Sequence, residues 1–392
     1  MPTNLIDKMD NIALQADDSP VATTDPAPYA GRRSGGLKLG FLTNVPFTDE
    51  ESGAAHGLAG AIETFKYAES VGFDSGWARQ RHFDNYISSP LVLLAAIAQH
   101  TSRIRLGTGV LTVSYEDPIR LTEDASTVDL LSGGRLELGM AAGNTRFDAV
   151  FGGERLEGRE EGHDRIRRFR EALAGNTLPI RDPNATPDLP EFRARPRSPE
   201  LDQRLWYGSG SAESAARTGS LGLGLLLSTL NHNPTSDSFE EAQRDNIVAY
   251  LDAFDHPVNQ PRVCLSRLFM PAVNQRQRER YAEFDRIRRA EGPAGPRPQG
   301  ALEPKTLLRT MNRDKSVGTQ PNGLPNDIQL CQIYHGDPDS VLEAAHADAG
   351  LDLADEMMVW LPPNFTLDEN KELLENIVKY IAEPLGWRPA GS

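Results

Sequence analysis

Ile104-Arg105-Leu106-Gly107-Thr108-Gly109-Val110, then Leu121 to Leu131 closed by Ser132-Gly133-Gly134, then Leu136-Glu137-Leu138-Gly139-Met140, is the stretch that decides the fold. Its outer segments are short apolar runs bounded by small residues, the pattern of buried strands. The middle segment is long enough for a helix and stops at a glycine pair. Two strands joined by a helix lie parallel, with a right-handed crossover.

The same rhythm extends in both directions. Upstream, Leu37-Lys38-Leu39-Gly40-Phe41-Leu42 reads as a strand. A helical stretch follows through Leu58, Ile62, Phe65 and Ala68, then a strand from Phe73 to Trp77 and a helix from Leu91 to His100. Downstream come a strand at Gln203–Gly208, a helix start at Ala212–Thr218 and a strand at Leu223–Thr229. The rhythm resumes at Gln329–Tyr334, followed by a helix at Pro338–Ala349, a strand at Glu356–Leu361 and a closing helix at Leu367–Ile381. So many alternations point to an α/β fold, a single eight-stranded (β/α)8 barrel, with a doubly wound open sheet as the alternative.

Two segments stand outside the rhythm. Residues 1–36 are rich in Ala, Asp, Pro, Thr and Gly and read as a flexible N-terminal tail or a subunit-embracing arm. Residues 271–328 hold an Arg-rich run, Gln275 to Arg289, followed by a Pro/Gly/Asn-rich stretch. They read as an insertion near the C-terminal strands, placed to be a lid, a decoration or a subunit contact, with the charges on a solvated helix surface.

The 392 residues carry 41 Lys and Arg against 56 Asp and Glu, a net charge of −15. That balance argues against nucleic acid or an anionic membrane surface as the main partner, since both require clustered cations. Two cysteines, Cys264 and Cys331, make neither a disulfide framework nor a zinc knuckle, so a cytoplasmic location is expected. No stretch reaches the roughly 18 apolar residues of a membrane helix, and the N-terminus lacks the pattern of a secretory signal.

Common catalytic fingerprints fail. Gly208-Ser209-Gly210-Ser211-Ala212-Glu213 carries Glu213 where a dinucleotide motif needs its third glycine, and no P-loop or GxSxG occurs. The eight histidines show no metal-ligand spacing. Gly208–Ser211 still reads as a strand, a small-residue turn and a helix start. It can hold a phosphate on free N–H groups, or Ser211 can merely cap the helix. Polar residues following successive strands, Asn44, Arg81, His82, Thr108, Asn144, Ser211 and His232, would converge at one barrel mouth. His82 and His232 are each equally readable as ordinary structural histidines.

The order of motifs resembles the bacterial-luciferase-like flavin monooxygenases. The resemblance rests on Trp77-Ala78-Arg79-Gln80-Arg81-His82-Phe83, on Ser89-Pro90-Leu91 through Gly107-Thr108-Gly109, and on Asp117-Pro118-Ile119-Arg120-Leu121. It continues in Leu130-Leu131-Ser132-Gly133-Gly134-Arg135-Leu136, Gly208-Ser209-Gly210-Ser211 and His335-Gly336-Asp337-Pro338. The resemblance implies a TIM barrel over residues 37–392, binding reduced FMN supplied by a separate NAD(P)H:flavin reductase, with F420 as the alternative cofactor.

Residue by residue, it places Arg81 and His82 at the catalytic position, with Arg81 standing where the luciferase has its first histidine. Thr108, Gly109, Val110, Met140 and Asn144 would lie at the flavin, with a cis bond at Gly109–Val110. Ser209, Gly210 and Ser211 would take its phosphate, and Asn44 and His232 are the candidate substrate residues. Ala142 stands where the luciferase has a phosphate-binding arginine, which leaves Arg146 as a candidate cation. The activity implied is a two-component monooxygenase that activates O2 as a flavin peroxide to oxidise a small organic substrate, in a homodimer or homotetramer. An F420-dependent oxidoreductase and a non-catalytic flavin-binding protein are the alternatives.

Overall fold

The computed structural model describes residues 29, 31–32, 35–47, 53–143, 147–151, 158–179, 191–291 and 326–389. Eight strands of the central sheet form the barrel: β1 (Lys38–Thr43), β2 (Ser75–Ala78), β3 (Arg105–Thr108), β4 (Leu136–Ala141), β5 (Leu205–Ser209), β6 (Gly224–Leu227), β7 (Val263–Arg267) and β8 (Glu356–Trp360), and a short ninth strand, Leu111–Thr112, pairs with the end of β4. Neighbours pair in parallel all the way round, and β8 returns to β1 with Leu42 opposite Trp360. The sheet is therefore a closed barrel, and the open-sheet alternative falls. β7 went unrecognised in the sequence. The segment expected to resume the rhythm, Gln329–Tyr334, lies off the barrel, where short strands Ile328–Leu330 and Tyr334–Gly336 flank it.

Helices cover the barrel in sequence: α1 (Gly53–Ser70), α2 (Pro90–Ala98), α3 (Pro118–Leu131), α4 (Gly158–Ala174), α5 (Ala212–Ser220), α6 (Phe239–Ala253), α7 (Gln275–Glu291), α8 (Pro338–His346) and α9 (Leu367–Ile377). Their starts are written locally. Asp117 accepts from the Ile119 and Arg120 N–H groups ahead of Pro118, and Asp337 does the same for Ser340 ahead of Pro338. Thr366 and Glu369 form a reciprocal capping box on α9. The Arg-rich run is helix α7, and it presents Tyr281, Phe284 and Arg288 to the body of the protein. The remainder of the expected insertion, 292–325, lies outside the described residues. So does most of the N-terminal segment, though Tyr29 donates to Asp252 and Arg32 pairs with Asp355, which precedes β8.

Strand alternation decides what fills the barrel. Ser75, Trp77, Glu137, Trp206 and Glu356 point inward, and glycines on facing strands make room for the indoles. A Cβ at Gly107 would sit 2.1 Å from the Trp77 ring, and one at Gly224 would sit 2.4 Å from Trp206. The two indoles meet edge to face at 5.8 Å. Their N–H groups find carboxylates: Trp206 Nε1 donates to Glu137 at 2.6 Å, and Trp77 Nε1 donates to Ser75 Oγ at 2.8 Å and Glu356 at 3.1 Å. Arg105 and Arg262 pair with Glu137. This plug closes the barrel beneath the C-terminal mouth.

Glu356 lacks such an arginine, and burial pushes its carboxyl above the usual range despite hydrogen bonds from Ser75 and Trp77. The folded protein then holds a proton that the unfolded chain releases near pH 4.5, so stability falls as pH rises through that window. Glu356→Gln removes the titration. Its stability relative to wild type is expected to increase as pH rises from about 4 in denaturant melts. A pH-independent difference would show that Glu356 does not carry the slope.

Candidate functional site

The C-terminal ends of β1 and β2 carry the first group of candidates. Asn44 follows β1, is 1 % exposed, and accepts a 3.4 Å hydrogen bond from Trp360 Nε1, while its own Nδ2 has no partner. Arg81 faces Asp84 at 3.9 Å and lies 5.9 Å from the Tyr86 ring. His82 sits among aromatic rings: Phe151 at 4.9 Å, Tyr115 at 5.7 Å and Phe83 at 6.1 Å, with Phe147 against Phe83. Its buried Nε2 has no hydrogen-bond partner, and burial holds the imidazole below its ordinary 6.5, so it is neutral at pH 7.

Gln80 lies between these residues in sequence but turns away from them. It accepts from Thr112 N–H at 2.7 Å and donates to Ser88 O and Glu116, pinning the segment that brings Tyr115 to His82. Arg79 belongs to the same motif. It continues the inward alternation of Ser75 and Trp77 and neighbours Asn44 across the β1–β2 pairing. No ion-pair or hydrogen-bond partner of its guanidinium exists among the described residues, and burial and the adjacent Arg81 push it down to about 9. It remains a cation at pH 7.

The second group lies at the ends of β3 to β6. Gly109–Val110 is a cis peptide bond, as the resemblance implied. Gly208 comes so close to Val110 that a Cβ there would lie 3.1 Å from a Val110 methyl, which gives a low shelf of glycine backbone and the Val110 methyls. Thr108 and Met140 line up with the outward alternation. Thr108 Oγ1 donates to Gly139 O at 2.7 Å, and Met140 is fully buried, so neither side chain reaches the shelf.

Ser209 also faces outward, its hydroxyl bonded to Thr218 at 2.9 Å and Ser214 at 3.2 Å. Ser211 caps α5 by accepting from Ser214 N–H. That capping leaves the first N–H groups of α5 open, and Gly210 beside them. His232 joins this turn: its N–H donates to Gly210 O at 2.6 Å, and its ring lies where a Gly210 Cβ would be, 2.5 Å from Cδ2. Sequence reading gave His232 to the substrate, but the structure puts it at the expected phosphate turn. Asn144 and Arg146 lie outside the described residues.

The alanine at 142 has a packing cause. Helix α4 crosses there with Gly162, where a Cβ would lie 2.5 Å from the Ala142 backbone, so no arginine side chain could leave Ala142 in that direction. Neighbouring His163 and Tyr207 meet at 3.2 Å instead. Among the described residues no group of His, Cys, Asp and Glu could hold a metal ion, and no helix is long and apolar enough to cross a membrane.

A glycine shelf, an open helix start and an unpartnered neutral histidine around one barrel mouth fit a flavin, whose ring needs a flat surface and whose phosphate needs N–H donors. The protein is thus a (β/α)8 barrel whose mouth fits a flavin. It belongs to the luciferase-like monooxygenase family, whose sequence profile matches residues 38–377.

The chain is similar to the oxygenase component of a flavin-dependent trigonelline monooxygenase from Acinetobacter baylyi, 33 % identical over 89 residues, 22 % of this chain and 25 % of that one. It is also similar to an F420-dependent glucose-6-phosphate dehydrogenase from Amycolatopsis mediterranei, 33 % identical over 145 residues, 35 % of this chain and 40 % of that one. Its alignments span about a quarter of the length of the first curated relatives it matches. The fold is shared with the oxygenating constituent of a Pseudomonas putida 3,6-diketocamphane monooxygenase in complex with FMN, at a TM-score of 0.60, 16 % identity and 89 % of this chain against 99 % of that one.

Proposed function

We propose that the protein is the oxygenase of a two-component system. It would take reduced FMN from a separate NAD(P)H:flavin reductase and use O2 to oxidise a small organic substrate. The observation that carries this reading is His82: a neutral imidazole with a free, buried Nε2, enclosed by Tyr115, Phe83 and Phe151. When bound, reduced flavin would supply the electrons that activate oxygen.

The chain's own residues do the rest. The Gly208–Val110 shelf seats the ring, and the start of α5 with Gly210 and His232 takes the phosphate. The aromatic rings around His82 exclude water and stray protons from the reacting oxygen. His82 Nε2 takes up or returns one proton there, while Arg79 and Arg81 make the mouth positive and favour anionic oxygen species. Similarity to an F420-dependent dehydrogenase supports a second reading, hydride transfer without oxygen.

Anaerobic titration with reduced FMN and reduced F420, followed by oxygen uptake, separates the two readings. Tight binding of reduced FMN with oxygen consumption is expected. Binding of F420 alone, with no oxygen reaction, would overturn the oxygenase reading. His82→Phe keeps the ring packing and removes the nitrogen. It is expected to lower turnover about 100-fold or more while leaving cofactor affinity unchanged. Burial shifts the protonation of His82 to the acid side of the ordinary 6.5, so wild-type turnover should hold through that value and fall only at lower pH, and His82→Phe should lose that limb. An unchanged acid limb in the variant assigns the proton transfer elsewhere.

A further inference from the structure

Helix α7 places a second, unrelated group of donors on the β8 side of the mouth. Phe284 and Arg288, one turn apart, both lie on the Trp360 ring, at 6.0 Å and 5.8 Å. Arg288 is 2 % exposed. Its Nη1 donates to Cys331 O at 2.6 Å, but its Nε and Nη2 have no partner. At the indole N–H of Trp360, which donates to Asn44 Oδ1 at 3.4 Å, the buried Asn44 Nδ2 is equally unpartnered among the described residues. Arg79, whose N–H donates to Thr43 O next to Asn44, adds a further cation whose guanidinium has no ion-pair or hydrogen-bond partner among the described residues.

On Arg288 and Asn44, two polar residues in contact with Trp360, the unanswered atoms are all donors. A buried donor left without an acceptor costs about 1–3 kcal/mol, more when it is charged. The nearest acid, Asp285, is already engaged by Arg289 and His335. A planar guanidinium edge with two open N–H groups matches two oxygens of one anionic group.

We propose that Arg288 and Asn44 form the specificity site for an organic anion, so that the substrate oxidised at this mouth carries a carboxylate or sulfonate. The anionic oxygens lie on Arg288 Nε and Nη2, Asn44 Nδ2 donates to the same molecule, and Trp360 supplies an apolar face for its carbon skeleton. Naming the substrate class in this way rests on the oxidoreductase reading of the mouth, but the binding site itself does not.

The test therefore uses protein without cofactor. Calorimetric titration with benzoate and benzenesulfonate is compared with neutral benzyl alcohol, in wild type and in Arg288→Met and Arg288→Gln. The first variant removes the charge and keeps the length. The second keeps hydrogen-bonding atoms, and thermal melts confirm that each is folded. At least one of the two anions is expected to bind wild type about 10-fold or more tightly than the alcohol, and to lose that margin in both variants. Equal affinity for anion and alcohol, or anion binding unaffected by either substitution, overturns the proposal; the latter would place the anion at the α5 turn. Arg288-dependent anion binding in a protein that takes up neither FMN nor F420 would keep this site and remove the oxidoreductase reading.

Discussion

Asp348→Ala should lower the stability of the protein by about 3–5 kcal/mol, the largest loss expected from any single surface-distant carboxylate here. Asp348 and Arg267 are both buried and bonded through Arg267 Nε and Nη2, the latter at 3.0 Å. Arg267 ends β7, and its Nη1 donates to Gln243 of α6 at 2.5 Å, with its guanidinium over Phe239. Asp348 also accepts from the N–H groups of Gly350 and Leu351, fixing the turn that leads from α8 into β8. Removing the carboxylate leaves a buried guanidinium without its bonded counter-charge, with only the more distant Glu240 to offset it. The cost comes from that stranded charge rather than from the lost attraction. Arg267→Met combined with Asp348→Ala should therefore recover most of the loss in denaturant melts. A single-variant loss below about 1 kcal/mol would mean that water reaches Arg267 and screens it.

The same pair shows why part of the architecture was legible in the sequence and part was not. Strands β1, β3 and β4 are short runs punctuated by glycine, and Asp117-Pro118 and Asp337-Pro338 announce their helices through contacts two or three residues away. Local signals of that kind need no knowledge of the fold. β7 reads Val263-Cys264-Leu265-Ser266-Arg267, and its final arginine looks like a surface residue until a partner 81 positions away neutralises it. Ile328–Leu330 and Tyr334–Gly336 are as apolar as some barrel strands, yet they pair with Leu230–His232 and Phe269–Pro271 outside the barrel.

The site divides in the same way. The cis bond, the α5 turn and His82 follow from motif order. The orientation of each side chain follows from strand parity, which turned Thr108, Met140 and Ser209 away from the mouth and brought Arg79 to it. In the sequence Arg288 reads as one charge on a solvated helix surface. Only the packing of α7 onto Trp360 shows that it is buried.

Gly208→Val should weaken reduced-flavin binding by about 100-fold or more, equivalent to ~2.7 kcal/mol, with little change in stability. Gly208 faces inward at the end of β5. The atoms nearest a Cβ there are the Val110 methyls, at 3.1 and 3.5 Å, and the Met140 carbonyl at 3.7 Å. The added methyls therefore extend over Val110 into the mouth rather than into the plug. Gly107→Ala behaves oppositely, because its Cβ would lie 2.1 Å from the Trp77 indole in the closed interior. Overpacking there costs about 1–3 kcal/mol of stability and should leave cofactor affinity in the folded fraction near wild type. Thermal melts and anaerobic titrations on the two variants thus separate a shelf that binds from a layer that packs. If Gly208→Val binds reduced FMN as wild type does, the ring does not rest on this shelf, and the neutral His82 loses the cofactor it is proposed to serve. If binding of reduced F420 alone is lost, the shelf stands and the deazaflavin reading displaces the oxygenase one.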